Sequence, residues 1–287
     1  MKINFVERKS MIIRPSGRST DFISPSFGHG CLYNCSYCYM KRHMPEGLTI
    51  ATNINQILSE IDHHAWFAVV DKPNQTHDKY ITYDISCNED FALHAKYYDV
   101  GKIFDFFANH EIAYASFATK YVNESLLEYN PKNKVRIRFS LMPPAYSKIL
   151  EPKTSSIIRR IGAINEFAVA GYDVHINFSP VIYTPDFKRD YAELFQIIDK
   201  IVLDKYKDKV HCEVIFLTHN ESKHEYNVKN NLPGESMLWN PSIQAGKISS
   251  NGDNNICYKP GFRHNLIREF TKTHDEIIPW NKIRYIF

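Results

Sequence analysis

Along most of this chain, stretches where apolar residues return every second position alternate with stretches where they return every third or fourth. That alternation predicts strands over residues 21–27, 79–85, 112–118, 135–140, 174–179 and 210–217, because side chains on a strand point to opposite faces in turn. The helical period predicts helices over 52–67, 97–109, 155–170 and 189–202. Gly171 is placed to cap the third of these, and the strand that follows alternates into Pro180.

Strands and helices in this rhythm imply parallel βα units. About six of them fit an α/β chain built as a partial (β/α)6 TIM-like barrel, the alternative being an open doubly wound sheet. Position favours the barrel. The cysteine-rich loop follows the first strand, Cys87 the second and Lys120 the third, while Ser140 and Tyr183 lie at or beyond later ones. In a βα barrel the C-terminal strand ends meet on one face, which is where chemistry is done.

The rhythm changes after Leu217. Asn, Gly, Ser and Pro become frequent between 231 and 260, and Asn251-Gly252 predicts the turn of a hairpin over 247–258. A helix over 262–272 and a last strand over 282–287 complete the expectation. The chain therefore divides into a basic N-terminal arm (1–20), a barrel (21–217) and a C-terminal extension of hairpin and helix (218–287).

With 287 residues, 44% hydrophobic and 23% charged, the chain has the composition of a folded domain of barrel size. No apolar run reaches membrane length, and the first ten residues carry charges where a signal peptide needs apolar residues, so a cytoplasmic protein is expected. The formal net charge of +3 is small for a dedicated nucleic-acid binder. Basic residues do concentrate near the start, where Lys2, Arg8, Lys9, Arg14 and Arg18 face one Glu7, as suits a solvated tail or a phosphate-contacting arm.

The chemistry concentrates in Cys31, Cys35 and Cys38, three thiols within eight residues. One loop can wrap them around a single inorganic centre. Three thiolates are one ligand fewer than an iron-sulfur cube or a structural zinc takes, so one metal corner would stay open. A structural zinc with His29 or His43 as fourth ligand is the alternative, although the second short ligand pair of most zinc modules is missing. Six cysteines over the whole chain, three of them crowded together, do not read as a disulfide framework.

Cys-x-x-x-Cys-x-Tyr-Cys after a first strand resembles the radical S-adenosylmethionine (SAM) superfamily and, within it, the spore photoproduct lyases. Cys35-Ser-Tyr-Cys-Tyr39, Ser86-Cys-Asn-Glu-Asp90, Ala118-Thr-Lys120, Arg136-Ile-Arg-Phe-Ser140, Glu151-Pro-Lys-Thr154 and Ala170-Gly-Tyr172 resemble lyase segments in the same order. The resemblance covers about residues 21–217 and the last few. It implies a partial barrel of the radical SAM type and a 4Fe-4S cluster on Cys31, Cys35 and Cys38, with SAM on the open iron. One electron then cleaves SAM to methionine and a 5'-deoxyadenosyl radical, which takes hydrogen from a thymine lesion in DNA. It further implies Cys87 as the hydrogen donor to the substrate radical and Tyr37 and Tyr39 as relay tyrosines, Tyr37 also serving as a contact of SAM or the cluster. Lys120 and Ser140 match SAM-contacting positions, Ser86 and Tyr183 belong to the same pocket, and an electron donor such as flavodoxin or ferredoxin is required. Cys212 and Cys257 are left as structural residues.

Departures from the lyase pattern keep other readings open. The chain lacks the lyases' longer N-terminal region, its hairpin is rich in Ser and Asn where the lyases are basic and aromatic, and Glu89 replaces a small hydroxyl residue beside Cys87. A buried carboxylate is costly unless paired. The alternatives are radical SAM modification or isomerisation of another nucleotide, RNA or a peptide, and a non-enzymatic metal-dependent nucleic-acid-binding module.

Overall fold

A computed structural model describes residues 2–40, 47–68, 71–248 and 254–287. Fourteen strands are present among them: β1 (Lys2–Val6), β2 (Arg14–Pro15), β3 (Phe22–Ile23), β4 (Gly28–His29), β5 (Gly47–Ala51), β6 (Ile81–Asp84), β7 (Ala113–Thr119), β8 (Val135–Ser140), β9 (Asp173–Val181), β10 (Cys212–Phe216), β11 (Thr218–His219), β12 (Gln244–Ile248), β13 (Asn254–Tyr258) and β14 (Ile283–Ile286). The principal helices are α1 (Ile54–Phe67), α2 (Val100–Asn109), α3 (Ile157–Val169), α4 (Phe187–Ile201), α5 (Glu221–Lys229) and α6 (Pro260–Ile277). The main sheet has eight strands in the order β14-β10-β9-β8-β7-β6-β3-β2. Six of them, β3 and β6 to β10, run in chain order, as the partial (β/α)6 barrel predicts. An open doubly wound sheet would reverse its strand order at a switch point, and this sheet does not.

The chain forms two compact units. The first comprises Met1–Leu32, His43–Phe139 and Ala163–His175, and the second Tyr33–Arg42, Ser140–Gly162 and Ile176–Phe287. Within the first, β3, β6, β7 and β8 pair in parallel, with Phe22 opposite Tyr83, Thr82 opposite Tyr114 and Phe117 opposite Ile137. Phe91, Phe104 and Phe117 form its aromatic core, and α2 adds Val100, Ile103 and Phe107 from one face at the helical period. A second sheet pairs β1 in parallel and β4 in antiparallel with β5, so the start of the basic segment is a strand.

In the second unit β10 pairs in parallel with both β9 and β14. Phe178, Tyr191, Phe195 and Phe270 pack edge to face as its core. The extension is a three-stranded sheet, β11-β13-β12. Its hairpin starts at Gln244, three residues earlier than expected; the Asn251-Gly252 turn lies outside the described residues, as does His43.

Two local expectations change. The first strand shrinks to Phe22–Ile23, because Pro25 has no N–H to continue the ladder. The helix expected over 97–109 starts at Val100, because Asp99 accepts the Lys102 N–H at 3.0 Å and caps it there, leaving Tyr97 in a preceding 3-10 turn.

Candidate functional site

In the first unit the cysteine loop leaves the sheet through two glycines. Gly30 has φ of 107°, and a Cβ there would meet the Gly47 carbonyl oxygen at 2.5 Å, so only glycine turns the chain into Cys31 without strain. At Gly28 a Cβ would occupy the space taken by the Glu89 carboxylate and the Tyr98 hydroxyl. Two amides bracketing Cys31 bond to the segment after Cys87: Gly30 N–H donates to the Asn88 carbonyl at 3.0 Å and Leu32 N–H to His94 Nε2 at 3.4 Å.

Cys87 sits three residues beyond the end of β6 in a tight turn. Ser86 N–H donates to Asp84 Oδ1 at 2.9 Å, Ser86 Oγ to the Glu89 carbonyl at 3.2 Å and Glu89 N–H to the Ser86 carbonyl at 3.3 Å. Burial, reinforced by the Asp84 carboxylate and partly offset by Arg14 and Arg138, pushes the Cys87 thiol up to about 11. The sulfur therefore keeps its hydrogen at neutral pH.

Glu89 is the costly neighbour noted in the sequence, and the fold supplies its partners. Its fully buried carboxylate accepts from the Tyr98 hydroxyl and from His94 Nδ1 at 2.9 Å. Because His94 Nε2 accepts from Leu32, this network assigns the imidazole proton to Nδ1. Asp90 caps the next helical turn through the Leu93 N–H and also accepts from Thr119 Oγ1 at 2.6 Å and the Lys120 N–H at 2.9 Å. Cys31, Ser86, Cys87 and Lys120 thus belong to one hydrogen-bonded set.

The second unit holds Cys35, Tyr37, Cys38, Tyr39, Ser140 and Tyr183. Cys35 is buried and Cys38 half-buried, and the Cys38 N–H donates to the Cys35 carbonyl at 3.0 Å. The peptides between them are anchored in turn. Ser36 donates its N–H to the Leu150 carbonyl at 2.9 Å and its hydroxyl to the Pro233 carbonyl at 2.7 Å. Its own carbonyl accepts from Asn227 at 2.8 Å, and the Tyr37 carbonyl accepts from Lys223 at 3.1 Å.

The Tyr37 hydroxyl donates to Glu151 Oε1. Burial first, then the Glu151 carboxylate and Cys35, push this phenol well above its ordinary range, so it stays protonated. Glu151 also binds Ser147 Oγ at 2.9 Å and Arg160 Nη2 at 2.8 Å. Arg160, fully buried, donates in addition to the carbonyls of Ser140 and Ser155, each at 2.8 Å, and to Thr154 Oγ1 at 2.6 Å. Tyr37 and Ser140 therefore share one network. Ser140 Oγ is buried and has no hydrogen-bond partner among the described residues, which leaves it available to a bound polar group.

Tyr183 is held differently. Its N–H donates to the Tyr258 hydroxyl at 2.8 Å and its ring packs edge to face on Phe262, at the foot of the hairpin. Tyr39 is exposed. Cys212 is buried, 3.7 Å from His274 Nε2, in keeping with a structural residue. Cys257 lines a cavity of about 220 Å³ with Lys247, Arg263 and Phe287.

In chemistry the donors suit a cluster and its SAM ligand, three thiols outside any disulfide and a buried hydroxyl, although among the described residues no three metal-ligating side chains are drawn together. Glu151, Arg160, Asp90, His94, Lys223 and Asn227 were not singled out by sequence reasoning. Asp90 and Glu151 fell within segments matched to the lyases, and Asp90 also carried a local signal, as an N-cap type directly before an apolar turn.

Comparison with known proteins gives concordant results. A family model described as spore photoproduct lyase matches residues 4–287. A spore photoproduct lyase of Bacillus subtilis (strain 168) is 24% identical over 283 residues, which span 97% of this chain and 80% of that protein. One from Clostridium acetobutylicum is 27% identical over 217 residues, 72% of this chain and 61% of that protein. Among solved structures, spore photoproduct lyase complexed with dinucleoside spore photoproduct superposes with a TM-score of 0.87 at 19% identity, covering 99% of this chain and 82% of that one. A mutant with bound AdoMet and the same dinucleoside superposes at 0.88 with 18% identity and the same coverage. These likenesses carry the fold.

Proposed function

We propose that this chain, which belongs to the spore photoproduct lyase family, is a radical SAM enzyme that returns a cross-linked thymine lesion in DNA to two thymines. The observation that carries the reading is Cys87: a thiol held protonated by burial, in a turn hydrogen-bonded to the loop that begins the three-cysteine motif. Family membership and the superposed lyase structures with bound AdoMet and dinucleoside photoproduct support the substrate and the cofactor.

Cys31, Cys35 and Cys38 would hold a 4Fe-4S cluster, and Lys120, Ser140, Ser86, Tyr37 and Tyr183 are the proposed contacts of SAM. When bound, the reduced cluster and SAM supply a 5'-deoxyadenosyl radical able to take hydrogen from carbon. Cys87 then gives its sulfur-bound hydrogen atom to the substrate carbon radical, an exchange that favours the product because an S–H bond is weaker than a typical C–H bond. Tyr39 would pass its phenolic hydrogen atom to the thiyl left on Cys87, and the hydrogen first taken from the substrate would return to Tyr39 as the radical goes back to SAM. Tyr37 is the poorer relay, since its hydrogen is committed to Glu151. Lys120 and the Ser140 hydroxyl bind and orient, as an ammonium and a hydroxyl suited to carboxylate, ribose or amino groups.

The electron comes from a small reductant of the flavodoxin or ferredoxin class, and on this reading the protein works in the cytoplasm beside its DNA. Among the described residues no helix is long and apolar enough to cross a membrane. The Ser- and Asn-rich hairpin favours one second reading, a radical SAM reaction on a different nucleotide, because a shared fold does not fix a substrate. Anaerobic reconstitution followed by incubation with a synthetic dinucleotide photoproduct separates the two. Thymine release supports repair; SAM cleavage without thymine release removes the repair reading and leaves the second.

A further inference from the structure

Helix α5 presents Lys223 and Asn227, one turn apart on one face, to the backbone between Cys35 and Cys38. Asn227 donates a neutral amide to the Ser36 carbonyl. Lys223 donates an ammonium to the Tyr37 carbonyl at 3.1 Å and to the Thr218 carbonyl at 3.3 Å, while only 8% exposed. Lysine is rarely buried this deeply, and an amide or hydroxyl would complete the same carbonyls more cheaply. What the ammonium adds is a fixed positive charge beside a loop of thiolates.

The neighbouring His219 and Glu235 are bound to each other. His219 is driven towards its neutral form by burial, with Lys223 itself adding to the effect. Glu235 accepts from His219 Nε2 at 2.9 Å, from His224 Nδ1 at 2.6 Å and from Asn227 Nδ2 at 2.5 Å, so its carboxylate is engaged by three donors. Asn220 caps the helix by accepting the Lys223 N–H at 2.9 Å, which fixes where the lysine starts.

We infer that Lys223 sets the reduction potential of the iron-sulfur cluster carried by Cys31, Cys35 and Cys38, raising it by stabilising the reduced, more negative form. Net charge and hydrogen bonding around a cluster are established determinants of its potential, and a unit charge acts more strongly in a protein interior than in water. Lys223 is on this account a positioning and tuning residue, acting through the loop and not on the substrate. The inference rests on the cluster assigned under the proposed function.

The test is a potentiometric titration, followed by electron paramagnetic resonance, of anaerobically reconstituted wild type, Lys223→Gln and Lys223→Arg without DNA. Glutamine keeps a donor for the carbonyls and removes the charge; arginine keeps the charge. At the poise that half-reduces the wild type, the Gln variant should show a ratio of reduced to oxidised cluster roughly tenfold lower, the order expected of one charge across a loop in a protein interior, while the Arg variant stays near wild type. A Gln variant that titrates with the wild type overturns the inference, as does an Arg variant displaced as far as Gln. A Gln variant that folds without loading beside an Arg variant that loads also overturns it, because the lysine would then build the loop and not tune it. A wild type that takes up no cluster would remove the underlying reading, an outcome distinct from all of these.

Discussion

Replacing Arg160 by methionine should be among the most damaging single changes in the second unit, and the structure gives its size. The side chain is fully buried and makes four hydrogen bonds, one of them charge-to-charge with Glu151, whose side chain is only 1% exposed. Methionine fills much of the volume but removes this ion pair from the Glu151 carboxylate, to which Ser147 and Tyr37 still donate. Removing one partner of a buried ion pair costs about 3–5 kcal/mol. The orphaned carbonyls of Ser140 and Ser155 would add to this, each net bond being worth about 1 kcal/mol. Against a usual domain stability of about 5–15 kcal/mol, Arg160→Met should still fold, with a much lower urea midpoint. Adding Glu151→Leu removes the carboxylate that lost this partner, so the double variant should be more stable than Arg160→Met alone. A loss below about 1 kcal/mol, or a double variant no better than the single one, would refute the reasoning that this pair is buried and mutually dependent.

Three further outcomes follow from the same contacts. Native Cys87 should resist iodoacetamide up to about pH 11, since its thiol is raised above the ordinary 9.0 and reacts as thiolate; well below pH 9.0 its rate should be roughly a hundredfold below that of an ordinary cysteine, as two pKa units require. The sign for stability is the same: the neutral form is favoured by the fold, so this contribution is present below pH 9.0 and lost as pH rises through about 11. Gly30→Ala should destabilise the protein by about 1–3 kcal/mol and reduce iron loading, because a Cβ would strike the Gly47 carbonyl and the backbone would be held at positive φ; thermal melts and iron content read both. Asp90→Ala, which frees Thr119 and the Lys120 N–H and uncaps a turn, should cost about 1–2 kcal/mol and weaken SAM binding with little change in cluster content, as equilibrium dialysis with labelled SAM would report.

What could be read from the sequence was what local pattern governs. Strand β8 falls on the predicted residues because it is buried along its whole length and neighbours other parallel strands, so burial and propensity agree. The predicted first strand was too long, since edge pairing with Arg14–Pro15 on one side and a proline four residues into the run left two residues in the sheet. The three cysteines and Cys87 were legible because motif spacing and order along the chain are local facts. Their supports were not. Arg160 lies nine residues from Glu151 and within α3, and Lys223 lies 186 residues from Tyr37; in the sequence each is one more charged residue with a solvated face as its ordinary destiny. Glu89 shows the limit most clearly. Beside Cys87 it looked like an expense, and only the fold reveals Gly28, His94 and Tyr98 making room and partners for it.

The central claim is that Cys87 returns hydrogen to a thymine radical, and isotope transfer tests it most directly. The thiol hydrogen exchanges with solvent, whereas carbon-bound hydrogens of the substrate do not. Reconstituted protein acting on a dinucleotide photoproduct in heavy water should release thymine carrying one deuterium on carbon, and Cys87→Ala should still cleave SAM but lose that label along with normal product. Thymine released without deuterium, or with the same label from Cys87→Ala, would contradict the account.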